Sequence, residues 1–212
     1  MNCYSVSNGK VVETVPIDFV GNRFYYSEID HPTDKYTYFN GWPLLEHITE
    51  TVLYFRPYCV VEIGAGESTK VLAKVCEKAG VKLYSCDKAP RKAATYFKDH
   101  EFHQKFSDDF MKDFNDTPAV VLIDADHHYD VAKREFDFFW DRLVDGGIIF
   151  LHDTYAPHEV MLKGTACGDV YKLRQELEKR DDMDCFTFPY SANWCGLTMV
   201  IKKEKERPYW GV

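Results

Sequence analysis

The feature that most constrains this chain is a repeated unit in which a short apolar, β-branched run ends on a polar or glycine residue and is followed by helical spacing. Tyr58-Cys-Val-Val-Glu-Ile63 runs into Gly64-Ala-Gly66, after which Val71, Leu72, Val75, Cys76 and Ala79 mark one helix face that Gly80 closes. Lys82 to Asp87 supplies a second strand, Ala89 to His100 is predicted as a helix, and Phe102 to Ser107 as a weakly marked third strand. Ala119-Val-Val-Leu-Ile-Asp124 reads as a buried strand, and the helix from about His128 to Val144 carries Tyr129, Ala132, Phe136, Phe139, Trp140 and Leu143 on one face. Gly146-Gly147 stops it, Ile148 to Leu151 is the next strand, and Asp169 to Arg180 the next helix. Such alternation requires an α/β fold, a doubly wound and mainly parallel sheet with helices on both faces. Asp184 to Tyr190 and Gly196 to Lys202 are joined by a short link, so the chain should end in an antiparallel hairpin.

The 212 residues suffice for one substantial core with an appendage. Leu44, Leu45, Ile48, Val52 and Phe55 form a helical stripe between Pro43 and Pro57, whereas the preceding segment has no helical period and is rich in aromatics, among them Tyr25, Tyr26, Tyr36, Tyr38 and Phe39. Residues 1–42 are therefore expected to be an appendage and 43–212 the main domain. A net charge of −8 opposes any broad phosphate-backbone footprint, which favours a small-molecule partner over nucleic acid. No apolar stretch is long enough to span a membrane, and Met1 to Lys10 lacks a signal-peptide layout, so a cytoplasmic location is expected. Seven cysteines with no CxxC pair point to reduced, packed thiols.

In an open α/β sheet, ligands bind outside the carboxyl ends of the strands. Gly64 and Gly66 bring bare backbone and helix amides to such an end. Asp87 closes the next strand 21 residues after Gly66 (87 − 66), near the spacing at which an acid accepts ribose hydroxyls. Thr69 stands where the last glycine of a dinucleotide fingerprint would fall, which weakens a nicotinamide reading. A tight turn and a strand-ending acid are the bland alternative.

Val60 to Thr69, then Asp87, then Leu122-Ile-Asp-Ala-Asp-His-His-Tyr129, then Gly146-Gly-Ile-Ile-Phe-Leu-His-Asp-Thr154 resemble the motif series of the class I S-adenosylmethionine-dependent methyltransferases, over about Pro43 to Lys203. Within them the chain is most similar to the small-molecule O-methyltransferases, both the catechol and caffeoyl-coenzyme A kind and the macrocin O-methyltransferase group, of the methyltransferase domain 24 type. The resemblance implies a Rossmann-like fold with S-adenosylmethionine as cofactor, Glu62, Gly64, Gly66 and Ser68 around its methionine part, and Asp87 on the ribose. It implies Ser107 and Asp108 at the adenine edge, with Asp109 as the substitute for Asp108, and it brings Asp124 to the same site.

Asp124, Asp126, His127 and His128 lie at one strand end, and His152 and Asp153 at its neighbour. By the resemblance, Asp124, His152 and Asp153 are counterparts of divalent-metal ligands, although His-Asp replaces the acid-amide pair. Oxygen donors suit Mg2+, and an imidazole shifts the preference toward Mn2+, zinc or iron. The structural alternative is that both acids cap turns and His152 is a satisfied core histidine. His127 is the first choice of general base, since imidazole titrates near neutrality and the position matches a catalytic lysine of the metal-dependent subgroup; His128 and Asp126 are the alternates. The expected reaction is O-methylation of a small-molecule hydroxyl. Aminopropyl transfer, a nicotinamide-dependent reaction, or a non-catalytic nucleoside-binding role are the competing functions. Tyr36, Tyr38, Phe39, Trp42 and Trp194 are candidates for a lid or acceptor wall, or for contact with a second subunit of a homo-oligomer.

Overall fold

The computed structural model describes residues 3–7, 10–14, 42–89, 96–156, 162, 167–188 and 196–203. The chain divides into two compact units, Met1–Tyr38 and Phe39–Val212. In the first, β1 (Cys3–Ser7) and β2 (Lys10–Thr14) pair antiparallel. The predicted lid residues Tyr36, Tyr38, Phe39 and Trp194 lie outside the described residues.

The second unit begins with α1 (Trp42–Phe55), then β3 (Cys59–Ile63), α2 (Glu67–Ala79), β4 (Leu83–Cys86), β5 (His100–His103) and α3 (Ser107–Asp113). It continues with β6 (Pro118–Ile123), α4 (Tyr129–Arg142), β7 (Ile148–His152), α5 (Tyr171–Leu177), β8 (Met183–Phe188) and β9 (Leu197–Lys202). The sheet order is β5-β4-β3-β6-β7-β9-β8. All pairings are parallel except those of β9, which runs antiparallel between β7 and β8. This is the doubly wound sheet with a terminal hairpin that the alternation of elements requires. Strand order reverses at β3, so the crevice between β3 and β6 is the switch point.

Period-2 alternation divides the strands between two cores. Val61, Ile63, Val121, Ile123, Ile149 and Leu151 pack on the face covered by Phe110 of α3, Phe136 and Phe139 of α4 and Leu173 of α5. Val60, Leu83, Val120, Leu122, Ile148 and Phe150 pack on the other, with Leu45 and Val52 of α1 and Leu72 and Cys76 of α2. Truncating a fully buried member such as Leu72 to alanine would cost about 2 to 5 kcal/mol.

Four expectations are corrected. The third strand is His100–His103 rather than Phe102 to Ser107, and residues 96–99, expected in a helix, form a turn. Its register, Leu83 opposite His100 through Cys86 opposite His103, makes it an edge strand with no apolar run to announce it. Ser107 consequently opens α3 instead of ending a strand. Finally, Cys167 is disulfide-bonded rather than reduced, while Cys59, Cys76, Cys86 and Cys185 are free thiols.

Candidate functional site

Parallel pairing aligns the strand ends: Ile63 lies opposite both Cys86 and Ile123, and Ile123 opposite Leu151. The residues that follow, Gly64, Asp87, Asp124 and His152, therefore emerge side by side. Gly64 N–H donates to Cys86 O and Asp124 N–H to Ile63 O, each at 2.8 Å, which zips the turn to both neighbours. Gly64 has φ of 95°, and a Cβ there would lie 2.1 Å from Asp124 O, so only glycine lets the turn press against the next strand. Around Gly66, by contrast, a Cβ would meet nothing within 4 Å, and the residue is exposed. The turn thus presents backbone to open space, as a ligand approaching closely would need.

Glu62 and Ser68 face the other way. The Glu62 carboxylate is fully buried and accepts hydrogen bonds from Ser68 Oγ (2.5 Å), Thr69 Oγ1 (2.8 Å) and Ser85 Oγ (2.7 Å). Burial pushes its pKa up to about 7, against the pull of those three hydroxyls. Gly66 N–H donates in turn to Thr69 Oγ1 at 2.9 Å. Glu62 and Ser68, both buried, therefore brace the turn from beneath. Thr69 has the same bracing role, and its presence at the broken fingerprint position was the signal for it.

Asp87 is nearly buried at the end of β4, and its Oδ1 accepts Ala89 N–H at 2.7 Å. Ser107 and Asp108 begin α3, and Asp108 is held by a two-pronged pair with Arg134 of α4, at 2.8 and 3.0 Å.

On the β6–β7 side, His127 and His128 part company. His128 is exposed and its Nδ1 sits 2.5 Å from Asp126 Oδ1. That hydrogen bond raises the His128 pKa. For Asp126, burial opposes ionisation but the bonds from His128 outweigh it and lower the pKa. The imidazole of His127 turns inward: Nε2 lies 3.0 Å from Asp153 Oδ2 and 3.9 Å from Asp124 Oδ1. His152 Nδ1 lies 3.2 Å from Asp124 Oδ1 and 3.1 Å from Asp153 Oδ1. Burial disfavours the charged form of His152, yet the two carboxylates prevail and hold its pKa well above the usual value. Trp42 stacks on this ring, with centroids 5.1 Å apart and planes 24° apart. Asp153 adopts a left-handed backbone, φ 59°, anchored where its N–H donates to Gly196 O at 3.0 Å.

Asp124, His152 and Asp153 offer ligand atoms that all lie within 4.8 Å of one another. Two carboxylates and an imidazole are a fitting donor set for a divalent cation, provided that His152 gives up its proton.

One support was not visible from spacing. Asp169 N–H donates to His127 O at 2.9 Å, and Asp169 Oδ1 accepts Tyr129 N–H at 2.6 Å, capping α4 from 40 residues away. At Gly168, φ 54°, a Cβ would lie 2.0 Å from His127 O. This turn clamps the His127 peptide.

A methyltransferase-domain family model matches residues 61–154. No curated protein is significantly similar in sequence. Among solved structures, a protein of Corynebacterium glutamicum shares 14 % identity at a TM-score of 0.58, over 77 % of this chain and 82 % of that one. The methyltransferase PaMTH1 of Podospora anserina, solved with S-adenosylhomocysteine (SAH), shares 14 % identity at 0.58, over 76 % and 79 %. The MycE methyltransferase of mycinamycin biosynthesis, solved with Mg and SAH, shares 14 % identity at 0.55, over 79 % of this chain but only 50 % of its own. At such identities the likeness establishes the fold, which is the class I methyltransferase fold.

Proposed function

Because the chain carries a methyltransferase domain on the class I methyltransferase fold, we propose that it is an S-adenosylmethionine-dependent enzyme that methylates a hydroxyl of a small molecule, with His127 as general base. The observation that carries this reading is the inward His127, whose Nε2 lies 3.0 Å from Asp153 Oδ2 at the strand end adjoining the Gly64–Gly66 turn. When bound, S-adenosylmethionine supplies an electrophilic sulfonium methyl group. The open backbone at Gly66 would meet its amino-acid part, Asp87 would accept the ribose hydroxyls, and Ser107 and Asp108 would lie at the adenine edge. The acceptor hydroxyl would lie against Asp124 and His127; because His127 Nε2 is turned to Asp153 Oδ2 at 3.0 Å, the hydroxyl proton would pass to the other ring nitrogen, Nδ1, as the methyl group is transferred from the sulfonium sulfur to the oxygen, and Asp153 would stabilise the imidazolium. His128, already held by Asp126, is the poorer base. Trp42 offers a flat aromatic wall to the acceptor.

Asp124, His152 and Asp153 would hold a Mg2+ or Mn2+ ion, whose charge would lower the pKa of the acceptor hydroxyl. Imidazolium at His152 supplies a positive charge to the same spot without it. Among the described residues no helix is long and apolar enough to cross a membrane, and we place the enzyme in the cytoplasm. Cys167 speaks against that placement, since disulfides are uncommon there.

Calorimetric titration with SAH tests the cofactor assignment: wild type and His127→Ala should bind alike, Asp87→Ala about tenfold or more weakly. His127→Ala should nevertheless lose turnover. Absence of SAH binding to wild type at millimolar concentration would overturn the reading. Titration of Mg2+ and Mn2+ into wild type and Asp124→Ala decides the metal, with flat traces for both excluding it.

A further inference from the structure

Of the two histidines buried among the described residues, His152 belongs to the carboxylate cluster and His100 has no part in the proposed mechanism. His100 opens the edge strand β5 at 3 % exposure, with the rings of Tyr96 and Phe97 stacked beside it at centroid distances of 6.0 Å. A buried imidazole calls for a partner on each ring nitrogen. His100 has both: Tyr96 N–H donates to Nδ1 at 3.1 Å, and Nε2 lies 3.0 Å from Ser85 Oγ.

The Tyr96 contact decides the direction of the Ser85 one. A main-chain N–H can only donate, so Nδ1 is an acceptor. In the neutral imidazole that burial favours, the ring proton then sits on Nε2 and is donated to Ser85 Oγ. Ser85 in turn donates its hydroxyl proton to Glu62 Oε2 at 2.7 Å. A second arm reaches the same oxygen from the opposite side: Gly66 N–H donates to Thr69 Oγ1 at 2.9 Å, and Thr69 donates to Glu62 Oε2 at 2.8 Å. One chain of hydrogen bonds thus crosses three adjacent strands, β5, β4 and β3, from the Tyr96 amide to the Gly66 amide, and both arms end on Glu62. Because each arm starts at a main-chain amide, every proton in it has one place.

We propose that His100 is a positioning residue of the Gly64–Gly66 turn: its Nε2 proton keeps the Ser85 hydroxyl on Glu62, and Glu62 so held keeps Thr69 beneath the Gly66 amide. His100 touches no ligand. What it controls is the backbone that would meet the amino-acid part of S-adenosylmethionine, and for that consequence the inference rests on the proposed cofactor assignment.

Two substitutions separate this role from packing. His100→Phe keeps a ring beside Tyr96 and Phe97 and removes both hydrogen bonds, whereas His100→Gln loses the ring but supplies an acceptor and a donor from one amide. At pH 8 the Glu62 carboxyl, with a pKa of about 7, is mostly ionised. There, calorimetric titration of the full chain should find SAH bound about five- to tenfold more weakly by His100→Phe and close to wild type by His100→Gln. Adenosine, which lacks the amino-acid part, should bind all three alike. Ser85→Ala interrupts the chain at its middle: it should weaken SAH at least as much as His100→Phe, and the double variant should lose no more than Ser85→Ala alone. Solvent exchange of the Gly66 amide, followed by NMR without ligand, should quicken about fivefold or more in His100→Phe and Ser85→Ala but not in His100→Gln. Wild-type SAH affinity in His100→Phe, a loss in His100→Gln as large as that in His100→Phe, or equal losses for SAH and adenosine would each overturn the positioning role. If wild type binds no SAH, the cofactor assignment falls, and the amide exchange alone decides whether His100 holds the turn.

Discussion

The Gly168 turn is the most exacting place to perturb this molecule, because its effects on stability and on the site follow from the same contact. Alanine at φ 54° incurs about 1 to 2 kcal/mol of left-handed strain. Its Cβ would also fall 2.0 Å from His127 O, so the His127 peptide must retreat by roughly 1 Å or more. That movement breaks the 2.9 Å bond from Asp169 N–H, at about 1 kcal/mol. The sum is about 2 to 4 kcal/mol, or roughly 5 to 15 °C in Tm for a domain of this size. A shift of about 1 Å at His127, whose Nε2 is 3.0 Å from Asp153, should lower kcat on the order of 100-fold while SAH affinity changes little. Gly80→Ala is the control: it has φ 67° but nothing within 4 Å of its Cβ, and therefore costs only the strain. Urea unfolding, SAH titration and turnover of the two variants give the comparison. Equal stability and equal activity of Gly168→Ala and Gly80→Ala would refute the clamp.

Two further outcomes are expected. Glu62 and Glu135 are both held near pKa 7, above the unfolded value near 4.5, so the native state favours their protonated forms. Their contribution is fully present below about pH 4.5 and is lost as pH rises through 7, up to about 3 kcal/mol for each. Urea unfolding from pH 5 to 8 should show stability falling, and Glu62→Gln should flatten the slope; a variant curve parallel to wild type would show that Glu62 is not held protonated. Trp42→Ala removes the ring stacked on His152, for about 1 kcal/mol or more of cation–π attraction. It should raise KM for the acceptor and leave SAH affinity unchanged, whereas a loss confined to SAH would move Trp42 to the cofactor side.

What could be read from the residue pattern follows burial. β3, β6 and β7 are covered on both faces, so they are apolar runs, interrupted in β3 only by the hydrogen-bonded Glu62, and their polar or glycine successors stand out. β5 lies at the sheet edge, where His-Glu-Phe-His is acceptable and carries no signal, and α3 is seven residues with only Phe110 and Met111 buried. The resulting misplacement put Ser107 in a strand. Glu135 was legible in principle, since an acid three residues after Ala132 falls on the apolar stripe of α4. Neither the disulfide at Cys167 nor the left-handed Asp153 is encoded in any local pattern.

The two adjacent histidines show most clearly why composition at a strand end underdetermines chemistry. His127 and His128 precede α4 in non-helical backbone, with His128 at φ −98° and ψ 133°. In extended backbone successive side chains point to opposite sides, so one histidine must face the carboxylates and the other must face solvent. Which one faces inward depends on where α4 begins. Its cap is no local residue but Asp169, whose side chain meets Tyr129 N–H while its own N–H holds His127 O. A register one residue later would present His128 to Asp153 and leave His127 outside. The selection of the inward histidine is thus made by a turn 40 residues further on, whose tight approach requires glycine at 168.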